Sequence, residues 1–170
     1  MPSMVDLGVT RYDWIPLAAG LTTPLAPKTT ELVLAKAISP YVVTSTSVNP
    51  TSSDTVSEKG ITDTSNAVVP TVGNYEGSLV LFRDLAAGTG VPSANDVMTT
   101  VGNAAGVVGW LVRRVGLPAA TAYAVGQKVD VFLFMTDSPI KSGGAGDGYL
   151  KVVIPLLQQG SYATEVTTVA

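Results

Sequence analysis

The sequence predicts a mainly β protein, an antiparallel β-sandwich or rolled barrel with one short flanking α-helix. Three observations carry that prediction. The 170 residues include 25 Val, 20 Thr and 13 Ser, and the β-branched Val and Thr suit the pleated, half-buried surface of a strand. Apolar residues recur with period two at Val129, Val131, Leu133 and Met135, and again at Leu150, Val152, Ile154 and Leu156. A single segment, opening at Pro92-Ser93-Ala94-Asn95-Asp96, has good helix signals. The length suits one domain over residues 1–170, burying about 70% of the surface its unfolded chain exposes.

Taken in order, residues 1–27 contain Pro2, Pro16, Pro24 and Pro27. Proline at this density blocks helices and central strands, so the segment reads as an extended arm lying across a surface, anchored by Trp14 and Ile15. Thr29-Thr30-Glu31 caps a short helical turn, followed by an extended stretch through Ile38, Pro40, Tyr41, Val42 and Val43. Residues 45–66 are the most polar part of the chain and show no core face. A strand pair facing water competes there with a long surface loop, and structureless loops of about 20 residues are uncommon in compact domains. Ser78 to Asp84 reads as a strand. Ser93 then caps the helix, Asp96 complements its first turn, Val97 and Val101 share its buried face, and Gly102 and Gly106 end it.

Val107 to Val115 is apolar on both faces and reads as a doubly buried strand until Arg113 or Arg114 surfaces. In Lys128 to Ser138 the odd positions form the apolar row. The even positions, Lys128, Asp130, Phe132, Phe134 and Thr136, make a mixed, partly wet face. Pro155 marks an edge or a bulge in Tyr149 to Leu156. The segment 160–170 is Thr/Val-rich and extended. TVGNxxG occurs at 71–77 and at 100–106, and both copies read as places where Gly and Asn supply positive φ.

Composition removes several chemistries. With no Cys and no His, a Cys/His zinc site, an iron–sulfur cluster, a thiol nucleophile and a Ser-His-Asp triad are all excluded. A net charge of −3 lacks the basic stripe of a nucleic-acid binder. Charged residues make up 14% of the chain, against about 25% in globular domains, so much of the surface is expected to lie against other subunits. The longest apolar run, Ala104 to Val112, has nine residues, where a spanning helix needs about 20. Met1 to Asp6 has neither a basic nor an apolar signal region, which reads as no signal peptide and as assembly in the cytoplasm of the producing cell.

Two motifs fail on their context. Ser138-Pro139-Ile140-Lys141 fits S-x-x-K, but that chemistry needs both side chains one helical turn apart, and here proline follows the serine in a segment leaving a strand. Gly143 to Gly148 has the glycine content of a phosphate loop without its lysine or its following helix, and reads as a hairpin loop. The carboxylates Asp54, Glu58, Asp63 and Glu76 have neither calcium-loop spacing nor a catalytic pairing. They read as a wet acidic face. Arg113 and Arg114 read as inter-subunit or inter-strand partners for Asp or Glu. No catalytic, cofactor or metal residue emerges, and a structural role is left.

From Asp54-Thr55-Val56-Ser57-Glu58-Lys59 through Asn66-Ala67-Val68-Val69-Pro70-Thr71-Val72-Gly73-Asn74-Tyr75-Glu76-Gly77-Ser78 the chain resembles the tail tube (major tail) proteins of long-tailed, siphovirus-type bacteriophages, especially those of actinobacterial hosts. Asp13-Trp14-Ile15-Pro16-Leu17 and the Thr/Val-rich C-terminal segment are similar to the same family. The resemblance implies a β-sandwich with a flanking helix, built into hexameric rings that stack as a tube. Each subunit would lend four strands to a continuous inner barrel through which DNA passes during ejection. The implied partners are further copies of the chain, a tape measure protein, a tail terminator and distal tail proteins, with no cofactor and no membrane. The implied location is the virion tail, assembled in the host cytoplasm.

A closed ring of strands removes sheet edges and gives strands without a core row an inward wet face. Asp54, Glu58, Asp63 and Glu76 are the candidate lumen-facing acids. Residues 1–85 hold 8 acidic and 5 basic residues, against 5 and 5 in 86–170, so the first half is expected to line the channel. A bore of carboxylates and hydroxyls repels phosphate, the reverse of binding by counterion release. Lys59 in the same stretch either pairs with Glu58 or Asp63 or marks a different register. Candidate inter-subunit contacts are Trp14, Ile15, Arg113 and Arg114, with residues 1–27 and 160–170 reaching neighbouring rings. A capsid decoration protein, or a tail-terminator or head–tail connector ring, is the alternative of similar composition.

Overall fold

The computed structural model describes residues 8–59, 61, 68–87, 89–102, 104–142 and 149–170. The described residues form ten strands, β1 (Thr10–Pro16), β2 (Lys36–Ala37), β3 (Ser47–Thr51), β4 (Thr55–Val56), β5 (Val69–Pro70), β6 (Asn74–Phe82), β7 (Val108–Val115), β8 (Lys128–Thr136), β9 (Ile140–Ser142) and β10 (Lys151–Thr167). Two short helices, α1 (Thr29–Val33) and α2 (Met98–Val101), accompany them. Eight strands form one antiparallel sheet in the order β2-β1-β7-β8-β10-β6-β3, with β9 also paired to β10. β4 and β5 make a separate two-stranded sheet. The protein is mainly β and antiparallel, as its composition predicts, and matches a β-sandwich with flanking helix.

The sheet curls on itself. Arg113 on β7 donates from Nη1 to the Val48 carbonyl of β3 at 2.6 Å, although three strands separate β7 from β3 in the sheet order. The inside of the curl holds the larger core, with Trp14, Leu79, Leu111, Phe132, Phe134, Val152 and Ile154 among its fully buried members. The outer face of β1, β7 and β8 buries Ile15, Val112, Val129 and Val131 beneath Leu32 of α1 and Tyr123 of the 117–127 connection. Strand alternation explains the division: Trp14 and Leu111 are register partners facing inward, and their neighbours Ile15 and Val112 face outward.

Several elements differ from expectation. Thr10–Pro16, expected as part of a surface arm, is an inner strand paired over all seven residues with Val115 to Gly109. Its only proline is the last residue, so the prolines flank the ladder rather than interrupt it. In β8 the even face is mixed as expected, with Lys128 exposed, but Phe132, Phe134 and Thr136 on it are fully buried because the curl encloses them, and Val129 and Val131 on the odd face are buried as well. Leu150, expected in the core row, precedes β10 and is 47% exposed. Within the polar region 45–66 the strands are β3 and β4, and β4 pairs with β5 just beyond it, while residues 60 and 62–67 lie outside the described set.

The predicted helix is shorter and later than its signals. The Ser93 hydroxyl accepts from Asn95 N at 3.1 Å and donates to Asp84 at 2.5 Å. It therefore closes a turn ahead of α2, and Val97 is the N-cap residue. Val97, Met98 and Val101 are buried in the inner core. Gly102 ends the helix at φ +122. The two TVGNxxG copies have different causes. Gly102 and Gly106 have positive φ, but Gly73 and Gly77 do not. There a Cβ would meet the Tyr162 hydroxyl at 2.5 Å or Phe134 Cζ at 2.8 Å, so close packing selects glycine. Pro155 lies inside β10 where the partner on one flank changes from β9 to β8. Its carbonyl accepts from Asp137 N in the connection between them, so the absent N–H falls where no ladder bond is due.

Candidate functional site

The odd residues of β6 point into the core, with Tyr75, Leu79 and Leu81 buried. Period-two alternation therefore turns Asn74, Glu76, Ser78 and Val80 outward. β10 obeys the same rule, burying Val152, Ile154 and Leu156 and turning Val153, Pro155 and Leu157 out. β3 buries Val48 and exposes Ser47, Asn49 and Thr51. Register joins these into rows across the strands. Ser47, Ser78 and Pro155 form one, Val80, Val153 and Ile140 a second, and Asn49 with Glu76 a third. Among the described residues this face has no counterpart to the α1 and 117–127 cover that lies over β1, β7 and β8. The result is a mixed sheet face carrying the hydroxyls, amides and single carboxylate of β3 and β6 beside the apolar Val80, Val153, Pro155, Leu157 and Ile140.

The predicted acids fall around this face. Glu76 stands on it, exposed, near the start of β6. Asp54 is exposed at the root of the β4–β5 pair. Its backbone bonds to Val72 O at 2.9 Å and Thr71 N at 2.7 Å, and its Oδ1 accepts from Asn74 Nδ2 at 3.0 Å. That bond ties Asp54 to the end of β6, two residues from Glu76. Glu58 and Lys59 are exposed beyond β4. Asp63 lies outside the described residues. Among the described residues the ion pairs are Arg11–Asp13, Arg83–Asp96 and Arg113–Asp130, and none includes Asp54, Glu58, Glu76 or Lys59. The β4–β5 pair is itself apolar on its surface, with Val56, Val68, Val69 and Val72 all exposed.

The four candidate contact residues serve the chain's own fold. Trp14 and Ile15 are 0% exposed, one in each core, and present no surface to a neighbour. Arg113 is an inter-strand partner. It reaches Asp130 Oδ2 on β8 at 2.8–2.9 Å and Val48 O on β3, and sits 5.7 Å from the Phe132 ring centroid. Arg114 is 1% exposed and meets carbonyls instead of a carboxylate. It donates to Pro118 O and Thr121 O at 2.9 Å and to Ala122 O at 3.3 Å, pinning the 117–127 connection over the outer core.

Sequence reasoning missed two buried charge clusters. Asp13, fully buried, accepts from Arg11 Nε at 2.6 Å and from Tyr123 Oη at 2.5 Å. Burial works to lower the Arg11 pKa, but the hydrogen bond and charge of Asp13 outweigh it and raise it. Burial also raises the Tyr123 phenol, reinforced by the charge of Asp13, and lowers Arg114. Arg11 and Asp13 are two apart on one strand face, a spacing legible in sequence once the strand is known. In the second cluster Arg83 grips the buried Asp96 carboxylate at 2.6–3.1 Å, anchoring the start of α2 to the end of β6. Thirteen residues separate the pair, and no local pattern announces it.

Ser138 and Lys141 lie in the β8–β9 connection and in β9, not on a helix, and Gly143–Gly148 lies outside the described residues. Among the described residues no group of three or more acidic side chains is placed to hold a metal ion. No helix among them is long and apolar enough to cross a membrane. The family model described as Phage tail tube protein matches residues 1–170. The chain belongs to the phage tail tube protein family. A search of the curated proteins finds no match. As a tail tube protein the chain is a structural component of the virion tail that assembles with copies of itself and with other tail proteins.

Proposed function

We propose that this tail tube protein forms stacked hexameric rings and that the open β3–β6–β10 face, with Asp54 and Glu76, lines the bore through which DNA passes. The observation that carries the reading is the unequal cover of the curled sheet. One outer half is sealed by α1 and the 117–127 connection, and the other, uncovered among the described residues, mixes Ser47, Asn49, Thr51, Glu76 and Ser78 with apolar residues of β6 and β10. A bare antiparallel face of this kind is stable against water, and a water-filled channel supplies it. Its carboxylates repel passing phosphates, so DNA slides without adsorbing. Glu58 and Asp63 extend the acidic lining. The exposed valines of β4–β5 supply apolar surface for contact between copies. The chain itself performs no catalysis. The tape measure protein, the tail terminator and the distal tail proteins meet the tube inside and at its ends, and assembly takes place in the host cytoplasm.

Electron microscopy of the purified chain tests this. Hollow tubes whose inner wall is the β3–β6–β10 face are expected. Rings that never stack would point instead to a terminator or connector, and a persistent monomer at high concentration would count against assembly.

A further inference from the structure

The β3–β6 ladder ends at Thr51 and Asn74, and beyond it the chain leaves the main sheet to form the β4–β5 pair. Both strands of that pair are exposed, two residues each. Asp54 N donates to Val72 O at 2.9 Å and Thr71 N donates to Asp54 O at 2.7 Å, which closes the pair on itself without joining it to the sheet. Among the described residues the side chain of Asn74 makes the crossing. Its Nδ2 donates to Ser52 O at 3.2 Å and to Asp54 Oδ1 at 3.0 Å, and its Oδ1 accepts from Gln158 Nε2 at 3.2 Å. A single orientation of the amide serves all three partners. Gln158 is itself held, because its Oε1 accepts from Tyr75 N at 2.9 Å. Tyr75 belongs to the inner core, where its hydroxyl accepts from Gln159 N at 2.8 Å and donates to Leu133 O. The Tyr162 ring packs on Tyr75 with centroids 5.0 Å apart and presses on Gly73 from the other side. A continuous path of contacts therefore runs from the core to the root of β4–β5.

We propose that Asn74 is a positioning residue: its amide clamps the root of the β4–β5 pair to the core and so fixes the direction in which the pair's exposed valines meet a neighbouring copy. The second half of that statement rests on the contact role proposed above for those valines. A short strand pair with no buried face has little to order it. Free at its root, it would sweep through many directions and would have to be ordered at the moment of contact. A clamp already made in the subunit removes that cost from assembly. Asparagine suits the position because one short side chain supplies two donors and an acceptor. Aspartate would set a carboxylate against the Ser52 carbonyl and the Asp54 carboxylate, and alanine would make none of the three bonds.

The chain has no cysteine, so Val69→Cys on β5 and Lys36→Cys on β2 supply the only two thiols for spin labels. Pulsed electron spin resonance on the unassembled subunit then reads the distance between them. One narrow distance distribution is expected with Asn74 in place. Asn74→Asp and Asn74→Ala are each expected to broaden it at least two-fold while the urea midpoint stays close to the parent's, and Asn74→Ala decides if Asn74→Asp does not fold. Adding Asp54→Asn to Asn74→Asp exchanges donor and acceptor, restores the parent's net charge and is expected to narrow the distribution again. A distribution already broad with Asn74 in place, or one that both single variants leave narrow, would overturn the proposal. So would a double variant as broad as Asn74→Asp. Tube formation by the unlabelled chains separates this proposal from the contact role of the valines. Broadened labels with a several-fold higher subunit concentration needed for tubes support both. Broadened labels with tubes forming as readily as the parent's overturn the contact role, and with it the aiming of the pair at a neighbour, and leave the clamp itself standing.

Discussion

Gly109 shows how little room the two-sided sheet leaves at a single residue. A Cβ there would strike the Trp14 indole and come within 2.9 Å of the Ile15 carbonyl. Both neighbours are fully buried, and a backbone atom cannot yield as a side-chain tip can. Gly109→Ala is expected to lower stability by about 1–3 kcal/mol, read from urea unfolding. Tyr123 makes a pH-dependent case. Its pKa is raised in the folded chain above the ordinary value of 10.0 by burial and by Asp13. The stabilisation is therefore complete below pH 10 and declines above it, where the unfolded chain releases the proton and the folded one keeps it. Unfolding measured across the alkaline range should show that loss, and Tyr123→Phe should flatten the slope while weakening the fold at neutral pH, since Asp13 loses a donor. Neither residue signals this in the sequence, because the reason for each lies on another strand.

Elements of this protein are fixed unevenly by their local signals. β7 is apolar on consecutive positions and is buried on both faces as its composition requires. α2 has cap-like residues ahead of it but only four helical residues, too few to persist without tertiary support. That support is the Arg83–Asp96 pair. With both side chains nearly or fully buried, Arg83→Met leaves the Asp96 carboxylate uncompensated and is expected to cost about 3–5 kcal/mol. Hydrogen exchange should place the largest loss of protection at residues 96–101. If the segment stays protected, packing of Met98 and Val101 alone holds it. β1 illustrates the opposite error. Proline count alone argues for an arm, whereas the position of Pro16 at the strand's last residue allows an inner strand.

For the whole molecule the decisive asymmetry is cover. The outer face of β1, β7 and β8 is apolar, with Ile15, Trp110, Val112, Val129 and Val131, and is sealed, whereas that of β3, β6 and β10 mixes Ser, Asn and Glu with Val and Leu and is uncovered among the described residues. If the bare half lines a bore, its charge controls adsorption of DNA. Glu76→Lys is expected to leave the unfolding curve within about 0.5 kcal/mol of the parent, as an exposed surface change does. Retention of duplex DNA on assembled tubes should rise and should fall again with added salt. Unchanged retention would place Glu76 on the outside of the tube.

Strand content, the absence of thiol and imidazole chemistry and the acidic bias of the first half follow from residue counts, because they depend on side-chain type alone. The family likeness was legible separately, as a resemblance in the order of residues around 66–78. The roles of Trp14, Ile15, Arg113 and Arg114 were decided only when the sheet curled, since period-two alternation says that a residue has a face but not what covers it. The same curl made Phe132 and Phe134 core, selected glycine at 73 and 77 by contact rather than by φ, and brought an arginine from β7 to the edge of β3.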